Sequence, residues 1–271
     1  TGMDYLGEAG IGKMELKEDG AVPSFTGAFP WHLSRCGDID ITGQRRPMSY
    51  YRQIVFGLRT EPYIAVDYPQ NFGKTPLRDM WSSFDALSSW SWDGFEGKDV
   101  RINVFGVGDR FELLLNGKAV AQGKLEEFRG YVDTVYQPGE LTAVTFQGDK
   151  ETGRTTLHSA QGSVAPTLVP DRTEIVANDS DLCYVEINMT AANGVINNTV
   201  NPKVAVEISG AGILLGLGSS EPKSLERYRA GEFTARDGRL LAVIRPTAPG
   251  KIQITATAEG FAPVTTEITA K

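Results

Sequence analysis

Asp4-Tyr5-Leu6-Gly7-Glu8, Cys36-Gly37-Asp38-Ile39-Asp40-Ile41-Thr42-Gly43 and Arg46-Pro47-Met48-Ser49-Tyr50-Tyr51-Arg52 follow one another between Thr1 and Phe56 and set this opening apart from the rest of the chain. Met3 to Leu6 reads as a short strand stopped by Gly7. Pro47 suits a first helical position, where a missing N–H costs nothing. Met48, Tyr51 and Val55 recur at i, i+3 and i+7, Ile54 widens the stripe, and Gly57 supplies a stop. Strand, long irregular loop and helix make one βα unit. A single unit of that kind cannot bury its own apolar surface, so it is expected to belong to something larger.

After Phe56 the pattern changes to short strands. Pro62 and Pro69 bracket Tyr63-Ile64-Ala65-Val66, and Asn71 to Leu87 is a polar insertion holding Trp81. Ser89-Trp90-Ser91-Trp92 reads as the start of a strand, followed by strands at Val100–Phe105 and Phe111–Leu115. Asn116-Gly117 predicts a two-residue hairpin turn with both residues at positive φ. Lys118–Ala121, Tyr131–Tyr136, Leu141–Phe146 and Thr155–His158 complete a set that predicts a β-sandwich. Proline-stiffened Val164 to Pro170 reads as a linker. A second series of strands begins at Glu174, with Asn193-Gly194, Asp237-Gly238 and Pro249-Gly250 at its turns.

The chain has 271 residues, 41% hydrophobic and 23% charged, enough for about two domains. A net charge of −7 leaves no footprint for nucleic acid or an anionic membrane. No apolar run approaches the ~20 residues of a membrane helix. Cys36 and Cys183 fall in different expected domains, so buried free thiols are expected rather than a disulfide. Sparing cysteine use favours the cytoplasm and leaves a periplasmic or secreted location open.

The three opening motifs resemble the end of the catalytic barrel in family 2 glycoside hydrolases of the bacterial β-galactosidase type, where they form the eighth strand, its βα loop and the eighth helix. The resemblance covers about a fifth of the chain. The strands after Phe56 are similar, more by order and pattern, to the β-sandwiches behind that barrel. The resemblance implies a mainly β chain: residues 1–57 the C-terminal remnant of a (β/α)8 barrel, 58–165 and 166–271 two immunoglobulin-like β-sandwiches. It also implies a retaining glycosidase as the parent. Such enzymes use two carboxylates about 5–5.5 Å apart, on barrel strands expected to precede Thr1. No catalytic residue, metal or cofactor is therefore expected within this chain, which should be inactive alone. Its expected partner is the rest of its own barrel, with a β-galactoside as the parent's substrate; the oligomeric state is left open.

Asp4, Tyr5 and Glu8 fall at the C-terminal end of a would-be barrel strand, the face where barrel active sites lie. They are candidates to line a sugar pocket, or to buttress its loop. Trp31 and His32, in the next loop, are pocket candidates as well, with packing as the plainer role. Trp90 and Trp92 share one face of the expected strand, with Trp81 nearby. Exposed, these rings would stack on a sugar and make the chain a carbohydrate-binding or adhesive module; buried, they are core or the seam against the helix. Asp38 and Asp40 are spaced to point the same way, yet without a third ligand they read as turn and helix caps. His158 stands alone near a strand end, and Gly212–Gly218 opens no helix that would hold a phosphate.

Overall fold

The computed structural model describes residues 3–5, 30–31, 37–74, 76–78, 84–178 and 180–271. Glu8, His32, Cys36 and Trp81 lie outside them. The chain divides into two compact units, Thr1–Ser159 with Pro222–Ser224, and Ala160–Glu221 with Leu225–Lys271.

The first unit contains β1 (Met3–Tyr5), α1 (Pro47–Val55), β2 (Tyr63–Asp67), β3 (Pro76–Arg78), β4 (Ala86–Leu87), β5 (Asp99–Phe105), β6 (Arg110–Leu115), β7 (Lys118–Lys124), β8 (Arg129–Val135), β9 (Glu140–Gln147) and β10 (Lys150–His158). Sheets β4-β2-β5-β8 and β10-β9-β6-β7 form the sandwich, and β1 pairs antiparallel with β3. The period of two along each strand sorts the side chains. On β5, Val100, Ile102 and Val104 enter the core, where they meet Phe111, Leu113 and Leu141 of the other sheet. Arg101, Asn103 and Phe105 take the opposite face.

Asn116 and Gly117 turn β6 into β7 at φ 50° and 78°, the expected hairpin. Glu127 and Phe128 turn β7 into β8 at φ 49° and 65°, the same geometry without a glycine. The tryptophan segment departs from expectation. Residues 88–92 are not a strand but an irregular plug over the sandwich core. Tyr136 fixes it: its hydroxyl accepts from Trp92 N at 3.0 Å and donates to the Trp90 carbonyl at 3.4 Å. Ser159 Oγ donates to that carbonyl too.

The helix ends on a glycine cap. Gly57, at φ 68°, donates to Ile54 O at 3.0 Å and Leu58 donates to Gln53 O at 2.8 Å, which satisfies two carbonyls of the last turn. Its buried side keeps Ile54 and Tyr51 of the stripe that the spacing predicts and leaves out Val55. Pro47 and Ile54 are buried, Tyr50 and Tyr51 pack beside Ile54, and Val55 is exposed.

The second unit contains β11 (Val164–Pro170), β12 (Glu174–Ile175), β13 (Cys183–Ala191), β14 (Lys203–Gly210), β15 (Gly212–Gly218), β16 (Glu232–Thr234), β17 (Arg239–Pro246), β18 (Gly250–Ala258) and β19 (Val264–Ala270). Sheets β11-β13-β17-β15 and β12-β19-β18-β14-β16 enclose a core that includes Val185, Ile187, Ala242, Ile244, Phe233 and Ile254. The expected linker is itself strand β11, paired with β13 along its whole length. It is an edge strand, the place where a sheet tolerates proline. Cys183 is buried and free, and burial pushes its thiol up to about 12.

Candidate functional site

Of the pocket candidates, Asp4 and Tyr5 lie on β1, opposite Leu77 and Pro76 of β3. Trp31 is half-buried, with the Lys223 ammonium 5.1 Å from its ring centroid. The sugar-stacking alternative fails for Trp90 and Trp92, which are 1% and 2% exposed. Trp90 stacks edge-on to Tyr136 at 4.8 Å and Trp92 to Tyr68 at 5.5 Å, so both rings are spent inside the core. Nor do they form the seam with α1.

Asp38 and Asp40 serve the loop that feeds the helix. Asp40 Oδ1 accepts from Thr42 N at 2.8 Å, Thr42 Oγ1 at 2.7 Å and Gln44 N at 3.1 Å. Asp38 pairs with Arg52 through its carboxylate, and its carbonyl accepts from Arg46 N at 2.8 Å. Each carboxylate thus has a structural role, and no cluster of three metal-ligating side chains occurs among the described residues.

The seam lies on the outer face of the sheet β4-β2-β5-β8. Tyr50 stacks on Tyr63 at 4.2 Å, Tyr51 meets Phe105 edge-on at 5.4 Å, and Ile54 fills the space among Tyr63, Ala65 and Phe105. The Arg45 guanidinium lies 4.2 Å over the Tyr50 ring, and Tyr51 Oη donates to Glu127 O at 2.9 Å. The strand residues of this seam sit two apart on β2, so the alternation that fills the core also builds this second apolar surface.

Beyond the helix the same face is polar and opens into a cleft of about 780 Å³. Its floor comes from neighbouring strands in register, with Asn103 opposite Tyr131 and Arg101 opposite Asp133. Asn103 Nδ2 donates to Asp67 Oδ1 at 2.7 Å and Ala65 O at 3.1 Å. Arg101 grips Asp133 with two hydrogen bonds, 2.8 and 2.9 Å, and lies 4.3 Å over the Tyr131 ring. Those bonds hold the Asp133 carboxyl below its ordinary range and the Arg101 guanidinium above its own. Asp85, nearly buried, accepts from Asn71 Nδ2 at 3.2 Å at the other wall. Sequence reasoning missed this cleft. The alternation Tyr131-Val132-Asp133 puts Tyr131 and Asp133 on one face, but Arg101 joins them only through strand pairing.

Residues 167–267 match the family described as Glycoside hydrolase family 2 C-terminal domain 5, and residues 97–153 match a domain of unknown function, DUF4982. The whole chain is 26% identical to β-galactosidase BoGH2A of Bacteroides ovatus, of which it spans 28%. A solved family 2 glycosyl hydrolase from Bacteroides cellulosilyticus is 30% identical, with a TM-score of 0.80 over 90% of this chain and 32% of its own. A solved family 2 β-glucuronidase, 18% identical with a TM-score of 0.69 over 87% of this chain and 22% of its own, shares the fold.

Proposed function

The chain is a C-terminal portion of a family 2 glycoside hydrolase, and from that premise we infer that it is the non-catalytic scaffold of a retaining enzyme of the β-galactosidase type. The observation that carries this reading is the aromatic seam: Tyr50, Tyr51 and Ile54 seat α1 on Tyr63 and Phe105. The resemblance makes that helix the last of a catalytic barrel. A helix fixed in this way ties the barrel to the sandwich, so that the sandwich braces the loop after the eighth strand and walls the sugar site. Asp38 and Asp40 are already engaged in the loop leading into α1, which favours support over chemistry. The β-galactoside preference rests on the resemblance and on the curated relative.

The direct test is hydrolysis of aryl glycosides. The chain alone should leave an aryl β-galactoside uncleaved. Its parent should cleave that substrate with retention, using two carboxylates about 5–5.5 Å apart, and should prefer it to the aryl β-glucuronide. Enzyme-like turnover by the chain alone, abolished by Asp38→Ala or Asp40→Ala, would overturn the scaffold reading. A parent that prefers the glucuronide would overturn the specificity.

A further inference from the structure

We propose that the polar cleft on the outer face of the first sandwich is a binding site for a neutral saccharide unit, stacked on Tyr131. The argument begins with the ring. Tyr131 is 60% exposed at the cleft, although large aromatics are mostly buried. It is also held in place. Asp133 fixes Arg101 through two hydrogen bonds, and the planar guanidinium lies over the ring at 4.3 Å. Bidentate pairing of this kind is specific in direction, so it fixes orientation as well as distance. An aromatic held by such a clamp loses little freedom when a ligand stacks on it. Its accessible surface is a platform for the C–H face of a sugar ring.

The surroundings select the ligand. Asp67 and Asp85 stand in the cleft, and Glu126 and Glu127 line it as well. Ionised carboxylates only accept hydrogen bonds, so they suit the hydroxyl donors of a sugar. Among the described lining residues the cations are Arg101, which faces Asp133, Arg129, 3.9 Å from Glu127, and Lys124, so the four carboxylates outnumber them by one. A phosphate or a uronic acid would bring negative charge against the four carboxylates. At about 780 Å³ the cleft falls within the ordinary size of small-ligand sites. The proposal rests on the geometry of the first unit and does not depend on the scaffold reading.

The test is titration of the chain, followed by amide NMR and calorimetry, with methyl β-galactoside, cellobiose and methyl β-glucuronide as probes. A neutral probe should bind with a Kd on the order of 1 mM, as small polar ligands do. Shifts should centre on Arg101, Asn103 and Tyr131, and the glucuronide should bind about tenfold more weakly at low salt. Tyr131→Ala should weaken binding about tenfold or more, whereas Tyr131→Phe, which keeps the ring, should retain it. Tyr131 is exposed, so both variants should keep the wild-type unfolding midpoint. No shift with any neutral probe at about 50 mM, far above the expected Kd, would overturn the proposal. So would unchanged binding by Tyr131→Ala, or a glucuronide that binds as tightly as the neutral sugars. None of these results bears on whether the chain hydrolyses glycosides, so this site and the scaffold reading stand or fall separately.

Discussion

Ile54→Ala probes the joint between α1 and the first sandwich. Ile54 is 1% exposed and packs among Tyr63, Ala65 and Phe105. Truncation removes three carbons, about 2.4 kcal/mol at roughly 0.8 kcal/mol per buried methylene. The hole left between rigid rings raises this, and buried Ile→Ala changes cost about 2–5 kcal/mol in all. We expect about 3 kcal/mol. Tyr50 and Tyr51 stay in place, so the helix should still form, but it should open more often.

Hydrogen exchange separates local opening from global unfolding. A loss of about 3 kcal/mol corresponds to a faster exchange of roughly a hundredfold for α1 amides. Amides of Phe111 to Leu115, in the sheet behind the core, should change far less. Emission from the buried Trp90 and Trp92 should report a sandwich unfolding near its original urea midpoint. Unchanged exchange in α1 would mean the helix is not held through this face. An equal loss in β6 would mean that helix and sandwich open only together, with no separate opening of the helix.

Gly117→Val should cost about 1 kcal/mol or more in urea unfolding, because its φ of 78° is left-handed while a Cβ there meets nothing within 4 Å, which makes the cost purely backbone. Gly130→Ala should cost more, about 2–3 kcal/mol, since its Cβ would run into the Lys124 carbonyl and come within 2.8 Å of the Phe111 ring; an effect no larger than that of Gly117→Val would refute the β7–β8 packing. Cys183 sets an alkaline limit on the second unit. Burial raises its thiol from 9.0 to about 12, so the folded state keeps a proton that the unfolded state releases. Stability from this group is complete below pH 9 and falls as pH rises towards 12, by on the order of 1 kcal/mol per unit. Cys183→Ala should flatten the decline in urea midpoint above pH 9, and a decline as steep as that of the wild type would show that other groups govern it.

The parts of this fold legible in the sequence are those where one residue type carries the geometry. Asn116-Gly117 is the clear case, because few other pairs accept two positive φ values in succession. Glu127-Phe128 makes the same turn without any such signal. Nothing in Glu-Phe favours a left-handed backbone, so the turn is imposed from outside, by pairing of Glu126 with Arg129 and by Tyr51 bound to the Glu127 carbonyl. Proline misleads in the opposite sense at Val164–Pro170. It forbids a central strand but not an edge, and only the sheet order places β11 at an edge. Alternating Trp90 and Trp92 mimic a strand because period-two burial can also arise in an irregular plug, here fixed by Tyr136 and Ser159. The cleft depends still more on long-range pairing. Tyr131 and Asp133 are neighbours on one strand, but the platform exists only because Arg101 lies opposite Asp133 and reaches back over the ring. A one-residue slip of β5 against β8 would turn Arg101 into the core and dissolve the site. Val100, Ile102 and Val104 prevent that slip, since it would expose all three. The hydrophobic core therefore fixes the chemistry of the outer face, and a chain that keeps its core keeps the geometry of this cleft.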